Sequence, residues 1–324
     1  MTNLKSKTHI PFDFPQGNPK SVTILGAGAW GTSLASLVSP NGHQVRIWSR
    51  RGELELAPAV ENADIIVSAI SMKGVPEVIA QLQKIKLRDK AIFVTATKGL
   101  DTQTTCTPSQ ILQAAFPKHP VVVLSGPNLS KEIELGLPAA TVVASYSATA
   151  AESVQLVFSS PRFRVYTNLD PLGVELGGTL KNVIAIAAGV CDGLQLGTNA
   201  KAALVTRGLT EMVRIGVSLG AKTETFYGLS GLGDLLATCN SSLSRNYQVG
   251  YQLACGRTLP EILAHLQGTV EGVNTCSVLI TRASGQNISM PITEQVYRVL
   301  KSDSTPRQAL EELMLRHIKP EYYE

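Results

Sequence analysis

Short apolar, β-branched runs recur along the first half of the chain, each followed by a stretch with helical spacing. They are SVTIL at 21–25, QVRIW at 44–48, DIIVSAI at 64–70, AIFVTAT at 91–97, VVVLS at 121–125 and AATVVAS at 139–145. Several are apolar almost throughout, the pattern of strands buried on both faces of a parallel sheet. The stretches between them predict helices at about 30–39, 75–84, 106–116 and 128–135. Alternation of this kind implies an α/β fold with a Rossmann-type, doubly wound sheet, in which ligands bind at the carboxyl ends of the strands.

The pattern changes after about Tyr166. LDPLGVELGGTLKNVIAIAAGVCDGL and NAKAALVTRGLTEMVRIGVSLG are long and rich in Ala, Leu and Gly, with Leu204, Leu209, Met212 and Val213 about a helical turn apart. Further helical patterns cover 259–267, 275–284, 293–300 and 306–315. The division expected is an irregular extension over 1–20, a Rossmann domain over 21–168 and an all-helical second domain over 169–324. A chain of 324 residues accommodates about two domains.

Composition narrows the function classes. Hydrophobic residues make up 44% and charged residues 17%, a globular balance. The net charge of +4 comes from scattered Lys and Arg, so no nucleic-acid partner is expected. Cys106, Cys191, Cys239, Cys255 and Cys276 are dispersed, with no metal-ligand spacing, which fits a reducing cytoplasm and no metal site. The first 20 residues carry Pro11, Pro15 and Pro19 with no apolar signal core. The longest apolar stretch, Val183–Cys191, is far shorter than the ~18 residues of a membrane span.

TILGAGAWGTSLA at 23–35 places Gly26, Gly28 and Gly31 between the first strand and the first helix. In that context Gly26 serves the tight turn, Gly28 the close approach of a pyrophosphate and Gly31 the helix–strand contact, with phosphates at the helix N-terminus. A turn without a ligand is the competing reading. NAD sites usually carry a carboxylate about 20 residues further on. RIWSRRGE has Ser49, Arg50 and Arg51 there instead. Guanidinium groups bind a 2′-phosphate that a carboxylate would repel, so NADP(H) is favoured and NAD(H) remains possible.

Three polar clusters offer chemistry. Lys98 in TATKGL lies just past a strand's carboxyl edge. Lys181, beside Asn182, stands in an otherwise small and apolar helix, where an unpaired ammonium is costly and a partnered one suits proton transfer. Asp234 in GLSGLGDLLAT is its expected partner, unless it only caps a helix. SSLSRN, with Ser244, Arg245 and Asn246, suits a phosphate or carboxylate, or else a helix N-cap beside a solvated arginine. Arrangements for acyl-transfer nucleophiles are lacking.

LGAGAWGTSLA, ATKGL, LSGPN, SPRFRVYT, GVELGGTLKNVIAIAAG, GLSGLGDLLATC, LSRN, VEGV and MPITEQVY follow one another from about Val22 to Leu315. In this order the chain resembles the bacterial NAD(P)-dependent glycerol-3-phosphate dehydrogenase family. The resemblance implies reversible reduction of dihydroxyacetone phosphate to sn-glycerol 3-phosphate, a phospholipid precursor. It implies Ala29 and Trp30 at the cofactor, Arg50 and Arg51 at the adenosine ribose and its phosphate, Lys98 between cofactor and substrate, and Gly126 and Asn128 at the substrate. It further implies Lys181 as the acid–base residue supported by Asp234, Ser244, Arg245 and Asn246 at the substrate phosphate, and Ser130, Arg245 and Glu271 on the cofactor side.

Two features depart from the family pattern. Asn128 and Ser130 stand where Ser or Thr and Ala are usual. Residues 51–63 are a distinctly short connection, just meeting the ~10–12 residues a parallel crossover needs, and leave NADP-versus-NAD preference open. The competing functions are a related dehydrogenase of the 6-phosphogluconate or 3-hydroxyacyl type and a non-catalytic NADP(H)-binding sensor. A homodimer through the helical half is also possible.

Overall fold

A computed structural model of the protein describes residues 18–266, 268–318 and 320–321; of the extension expected over 1–20, the first 17 residues lie outside the described residues. Among the described residues seven strands form one sheet: β1 (Ser21–Leu25), β2 (Gln44–Trp48), β3 (Ile65–Ser68), β4 (Ile92–Thr95), β5 (Val121–Ser125), β6 (Ala139–Ala144) and β7 (Phe163–Asn168). Their order is β2-β1-β3-β4-β5-β6-β7. The helices along the sheet are α1 (Ala29–Val38), α2 (Leu56–Val60), α3 (Val75–Leu82), α4 (Pro108–Ala115), α5 (Ser130–Glu134) and α6 (Ala148–Phe158). The second half contains α7 (Pro171–Gly193), α8 (Gly197–Ser218), α9 (Asp234–Cys239), α10 (Arg245–Ala254), α11 (Leu259–His265), α12 (Glu271–Gln286), α13 (Pro291–Leu300) and α14 (Pro306–Met314).

The sheet corrects the all-parallel expectation at one seam. β6 pairs antiparallel with β5, Leu124 opposite Val143, while every other pairing is parallel. The segment between them never crosses the sheet face. It stays at the carboxyl edge, where Ser33 of α1 bonds Ser130 O at 3.4 Å and Glu134 Oε1 at 3.2 Å. The next strand therefore runs back. Continuous apolar runs mark burial on both faces, not direction, so the sequence could not distinguish the two.

β7 and α6 are additions to the sequence-based set. β7 is an edge strand with Phe163 and Val165 buried and Arg164 and Tyr166 facing out, a period of two over only six residues. α6 is capped by Ser147, whose hydroxyl accepts from Ala150 N–H, and buries Ala150, Val154, Val157 and Phe158 along one face. The short 51–63 connection still permits the parallel β1–β3 pairing, Val22 opposite Ile65. It does so with the five-residue α2, whose Leu56, Ala59 and Val60 pack with Trp48 and Ile66.

α7 organises the helical half. Asp170 caps it by accepting from Gly173 N–H at 2.9 Å, and Pro171 opens it with a φ already suited to a first helical turn. Its length and composition would allow a membrane crossing, with a mean hydropathy of 1.4 over the most apolar window, but 94% of that window is buried inside the fold. Leu176, Leu180, Val183 and Ile184 join Met212, Phe226 and Val249 in one core. Burying each such side chain contributes about 1.5–3 kcal/mol. α10 lies close on α7 because Gly250 has no side chain, a Cβ there falling 1.8 Å from Ile186 O.

Candidate active site

The glycine loop forms at the carboxyl end of β1. Gly26 has φ of +121°, and a Cβ there would meet Ala69 O at 2.6 Å. Gly31 lets α1 approach its own strand, a Cβ falling 1.9 Å from Gly26 O. Over Gly28, by contrast, a Cβ would meet nothing within 4 Å. Gly28 is also the N-cap of α1, with no side-chain cap and no acidic residue in the first turn. Open space above free helix N–H groups is a cradle that a dinucleotide pyrophosphate fits. Ala29 begins α1 at this mouth, and Trp30 is pinned there by its indole N–H donating to Ala96 O at 3.0 Å.

Arg50 and Arg51 follow β2 in the exposed turn. The Arg50 guanidinium lies 3.3 Å from a Glu77 carboxylate oxygen in the first turn of α3. At the opposite side of the loop, Ser130 opens α5 against α1. Asn128 is tied to β6: its amide N–H₂ donates to Ala140 O at 3.3 Å and its oxygen accepts from Thr141 at 2.9 Å. Gly126 sits against Thr141, where a Cβ would meet backbone at 3.0 Å.

Lys98, Lys181 and Asp234 meet between the sheet edge and α7. Asp234 Oδ2 accepts from Lys98 Nζ at 2.6 Å, and Oδ1 accepts from Lys181 Nζ at 2.9 Å. The array is deep, with Lys181 and Asp234 side chains 8% and 3% exposed. Lys98 reaches it by passing Gly178 of α7, one turn before Lys181, where a Cβ would fall 3.4 Å from Lys98 Cε. Asp234 opens α9, yet its carboxylate holds the two ammonium groups and not a backbone cap. Thr238, one turn further along α9, bonds both Lys181 Nζ and Asp234 Oδ1. Thr238 was not among the sequence-predicted residues; its i+4 spacing from Asp234 was the available signal. Burial pushes the Lys181 ammonium down to about 8, against the pull of Asp234 and with Lys98 adding to the fall.

Ser244, Arg245 and Asn246 open α10 on the same side of α7. Ser244 is the N-cap, its hydroxyl accepting from Tyr247 N–H at 3.2 Å. Asn246 Oδ1 accepts from Gly272 N–H at 3.0 Å, and a Cβ on Gly272 would fall 2.9 Å from Asn182 O, so α10, α12 and α7 converge beside Lys181. Glu271, first residue of α12, accepts from Met72 N–H at 3.2 Å across to the sheet unit. Burial raises its carboxyl above the usual range, opposed by that N–H.

A cavity of about 570 Å³ lies elsewhere, between α7, α8, α13 and α14, lined mainly by apolar side chains such as Val190, Leu204, Ile292 and Leu313. Arg207, Glu211 and Arg214 also line it, but the Glu211 carboxylate is occupied by the Ile292 and Thr293 N–H groups at the start of α13, and no nucleotide cradle adjoins them. The polar array at the carboxyl edge is the better candidate, because it pairs perturbed titratable groups with a nucleotide cradle.

Comparison with known proteins identifies what the chain as a whole is similar to. A family model described as the NAD-dependent glycerol-3-phosphate dehydrogenase C-terminus matches residues 170–311. The corresponding N-terminus model matches 21–57 and 51–151, two pieces that meet in the short connection. The chain is 74% identical over 302 residues to a glycerol-3-phosphate dehydrogenase (NAD(P)+) of Trichormus variabilis, covering 93% of this chain and 98% of that protein. It is 72% identical over 302 residues to the same-named enzyme of Nostoc sp., with the same coverage of 93% and 98%. The crystal structure of glycerol-3-phosphate dehydrogenase from Coxiella burnetii superposes with a TM-score of 0.88 at 35% identity, covering 92% of this chain and 99% of that one.

Proposed function

The chain belongs to the NAD-dependent glycerol-3-phosphate dehydrogenase family, and from that premise we propose which of its residues carry the reaction. The enzyme is an oxidoreductase that reversibly reduces dihydroxyacetone phosphate to sn-glycerol 3-phosphate and uses both NADP(H) and NAD(H). Its product serves lipid synthesis.

In this reading the sheet unit, 21–168, holds the nucleotide and the helical unit, 169–324, holds the substrate. The Gly26–Gly31 loop and the start of α1 bind the pyrophosphate, with Ala29, Trp30, Ser130 and Glu271 beside it and Arg50 and Arg51 at the adenosine ribose. The bound nicotinamide supplies the hydride. Ser244, Arg245 and Asn246 hold the substrate phosphate, while Gly126 and Asn128 line the rest of the substrate. Lys181 donates its proton to the C2 oxygen as that oxygen gains charge, and the neutral amine takes a proton back in the reverse direction. Asp234 balances the two ammonium groups and aims them, and Lys98 adds positive charge where the oxyanion develops. One observation carries this assignment: a single buried carboxylate holds Lys98 and Lys181 on its two oxygens.

The test compares parent and Lys181→Ala for nicotinamide binding and for turnover of dihydroxyacetone phosphate. Retained NADPH binding with turnover lowered by ~10²–10⁴-fold is the expected result. Equal turnover in the two proteins would remove Lys181 from the chemistry.

A cytoplasmic location is supported by Cys106, Cys191, Cys239, Cys255 and Cys276 all being free thiols. Pairing of two copies through the helical half is supported by Met314 and Leu315, 77% and 84% exposed, beside the apolar cavity. Sedimentation of the parent against Leu315→Glu tests that pairing, which predicts a smaller species for the variant.

A further inference from the structure

We propose that Glu77 is a cofactor-specificity residue: it competes with the 2′-phosphate of NADP(H) for Arg50 and accepts a hydrogen bond from the ribose hydroxyls of NAD(H). The inference rests on the reading that Arg50 lies at the adenosine ribose, and deepens it.

The turn after β2 offers Ser49, Arg50 and Arg51, followed by Glu53 and Glu55, both exposed and neither paired with Arg50. The carboxylate that meets Arg50 comes instead from 27 residues away. Glu77 Oε2 lies 3.3 Å from Arg50 Nη1, while Oε1 faces Gln81 Nε2 at 3.5 Å. Glu77 stands in the first turn of α3, where the helix N-terminus favours an ionised carboxylate. In a doubly wound sheet, the end of the second strand is where the adenosine ribose lies, and a carboxylate there accepts from its hydroxyls.

The pair has little to do for stability. Its side chains are 63% and 54% exposed, and exposed ion pairs contribute about 0–1 kcal/mol. α3 is held instead by Val75, Val78, Ile79 and Leu82, all buried. The consequence for nucleotide choice is larger, because the two ligands feel opposite signs. A phosphate monoester carries about −1.5 to −2 charges near neutral pH, so it attracts Arg50 and is repelled by Glu77. A ribose 2′-hydroxyl feels no such repulsion and gains an acceptor. Arg50 thus favours NADP(H), Glu77 favours NAD(H), and their contact keeps both nucleotides usable.

The experiment measures kcat/KM for NADPH and for NADH with saturating dihydroxyacetone phosphate in the parent, Glu77→Gln, Glu77→Asp and Arg50→Ala. Glu77→Gln is expected to raise the NADPH-to-NADH ratio about fivefold at low ionic strength, the scale of one exposed charge interaction. The rise should shrink in high salt as screening shortens, and Glu77→Asp should restore the parent ratio. A purely structural role would move neither the ratio nor its salt dependence. If Glu77→Gln leaves the ratio unchanged while Arg50→Ala lowers it, the role of Glu77 is overturned and that of Arg50 stands. If neither variant changes the ratio, both assignments fall.

Discussion

Lys98 and Lys181 share one carboxylate: Asp234 accepts from the first at 2.6 Å and from the second at 2.9 Å. Two ammonium groups against one carboxylate leave net positive charge in a water-poor cleft, which is what a developing alkoxide requires. The arrangement also explains why the lysine meant to release a proton can do so near neutral pH, since burial disfavours its charged form.

The rate of reduction should follow the protonated form of Lys181. Turnover of dihydroxyacetone phosphate is expected to be full below about 8 and to fall as pH rises through it, because the donor is lost. Oxidation of glycerol 3-phosphate, which needs the neutral amine, should rise through the same window. Parallel pH–rate profiles in both directions would contradict the assignment.

Replacing Asp234 with Asn should lower kcat by about a hundredfold, as Lys181 and Lys98 lose their shared anchor. Removing one partner of a buried pair costs about 3–5 kcal/mol. The lower end is expected here, since the Lys98 side chain is 21% exposed and Lys181 can shed its proton. Steady-state kinetics and urea denaturation measure the two effects separately.

Gly31→Ala tests the loop. Its new methyl would meet Gly26 O at 1.9 Å, a backbone atom that cannot swing away. Overpacking of this kind costs typically about 1–3 kcal/mol, and here it also shifts the nucleotide cradle. A fall in melting temperature together with weaker NADPH binding is expected, and NADPH fluorescence titration reads the second.

Glu175 predicts a pH-dependent stability. It is buried on α7 and accepts from the Ser109 N–H at 2.9 Å and from the Ser109 hydroxyl at the start of α4. Burial raises its carboxyl to about 7, against 4.5 when unperturbed. The fold therefore binds this proton more tightly than the unfolded chain. Its contribution is present in full below about 4.5 and is lost as pH rises through about 7. Denaturation at several pH values should show the parent losing up to about 3 kcal/mol across that window, and Glu175→Gln should lack this component.

Elements held by local chemistry were legible before folding. Thr107 and Gln110 form a capping box at α4, with Pro108 opening the helix, and the strand runs of β1, β3 and β5 stood out because both their faces are buried. β7 escaped because an edge strand with one wet face carries a weak period-two signal over six residues. Lys181 was conspicuous as a charge among small apolar residues. The glycine loop, Arg50, Arg51, Lys98, Asp234 and Ser244–Asn246 also stood out from their neighbours, and the family resemblance added Ala29, Trp30, Gly126, Asn128, Ser130 and Glu271. Thr238 and Glu77 carried no such contrast.

The sequence by itself determined the alternation of strand and helix, the glycine turn after β1, the switch to helices near residue 170, and the residue types available for chemistry. These depend on neighbours within a few positions, where backbone propensity and hydrophobic period act. Only the tertiary structure decided that β6 runs against β5, that Asp234 spans Lys98 and Lys181, and that Glu77 reaches Arg50. Those relationships join residues tens to more than a hundred positions apart. Their geometry is set by how the buried faces of separate elements pack, which no local pattern encodes.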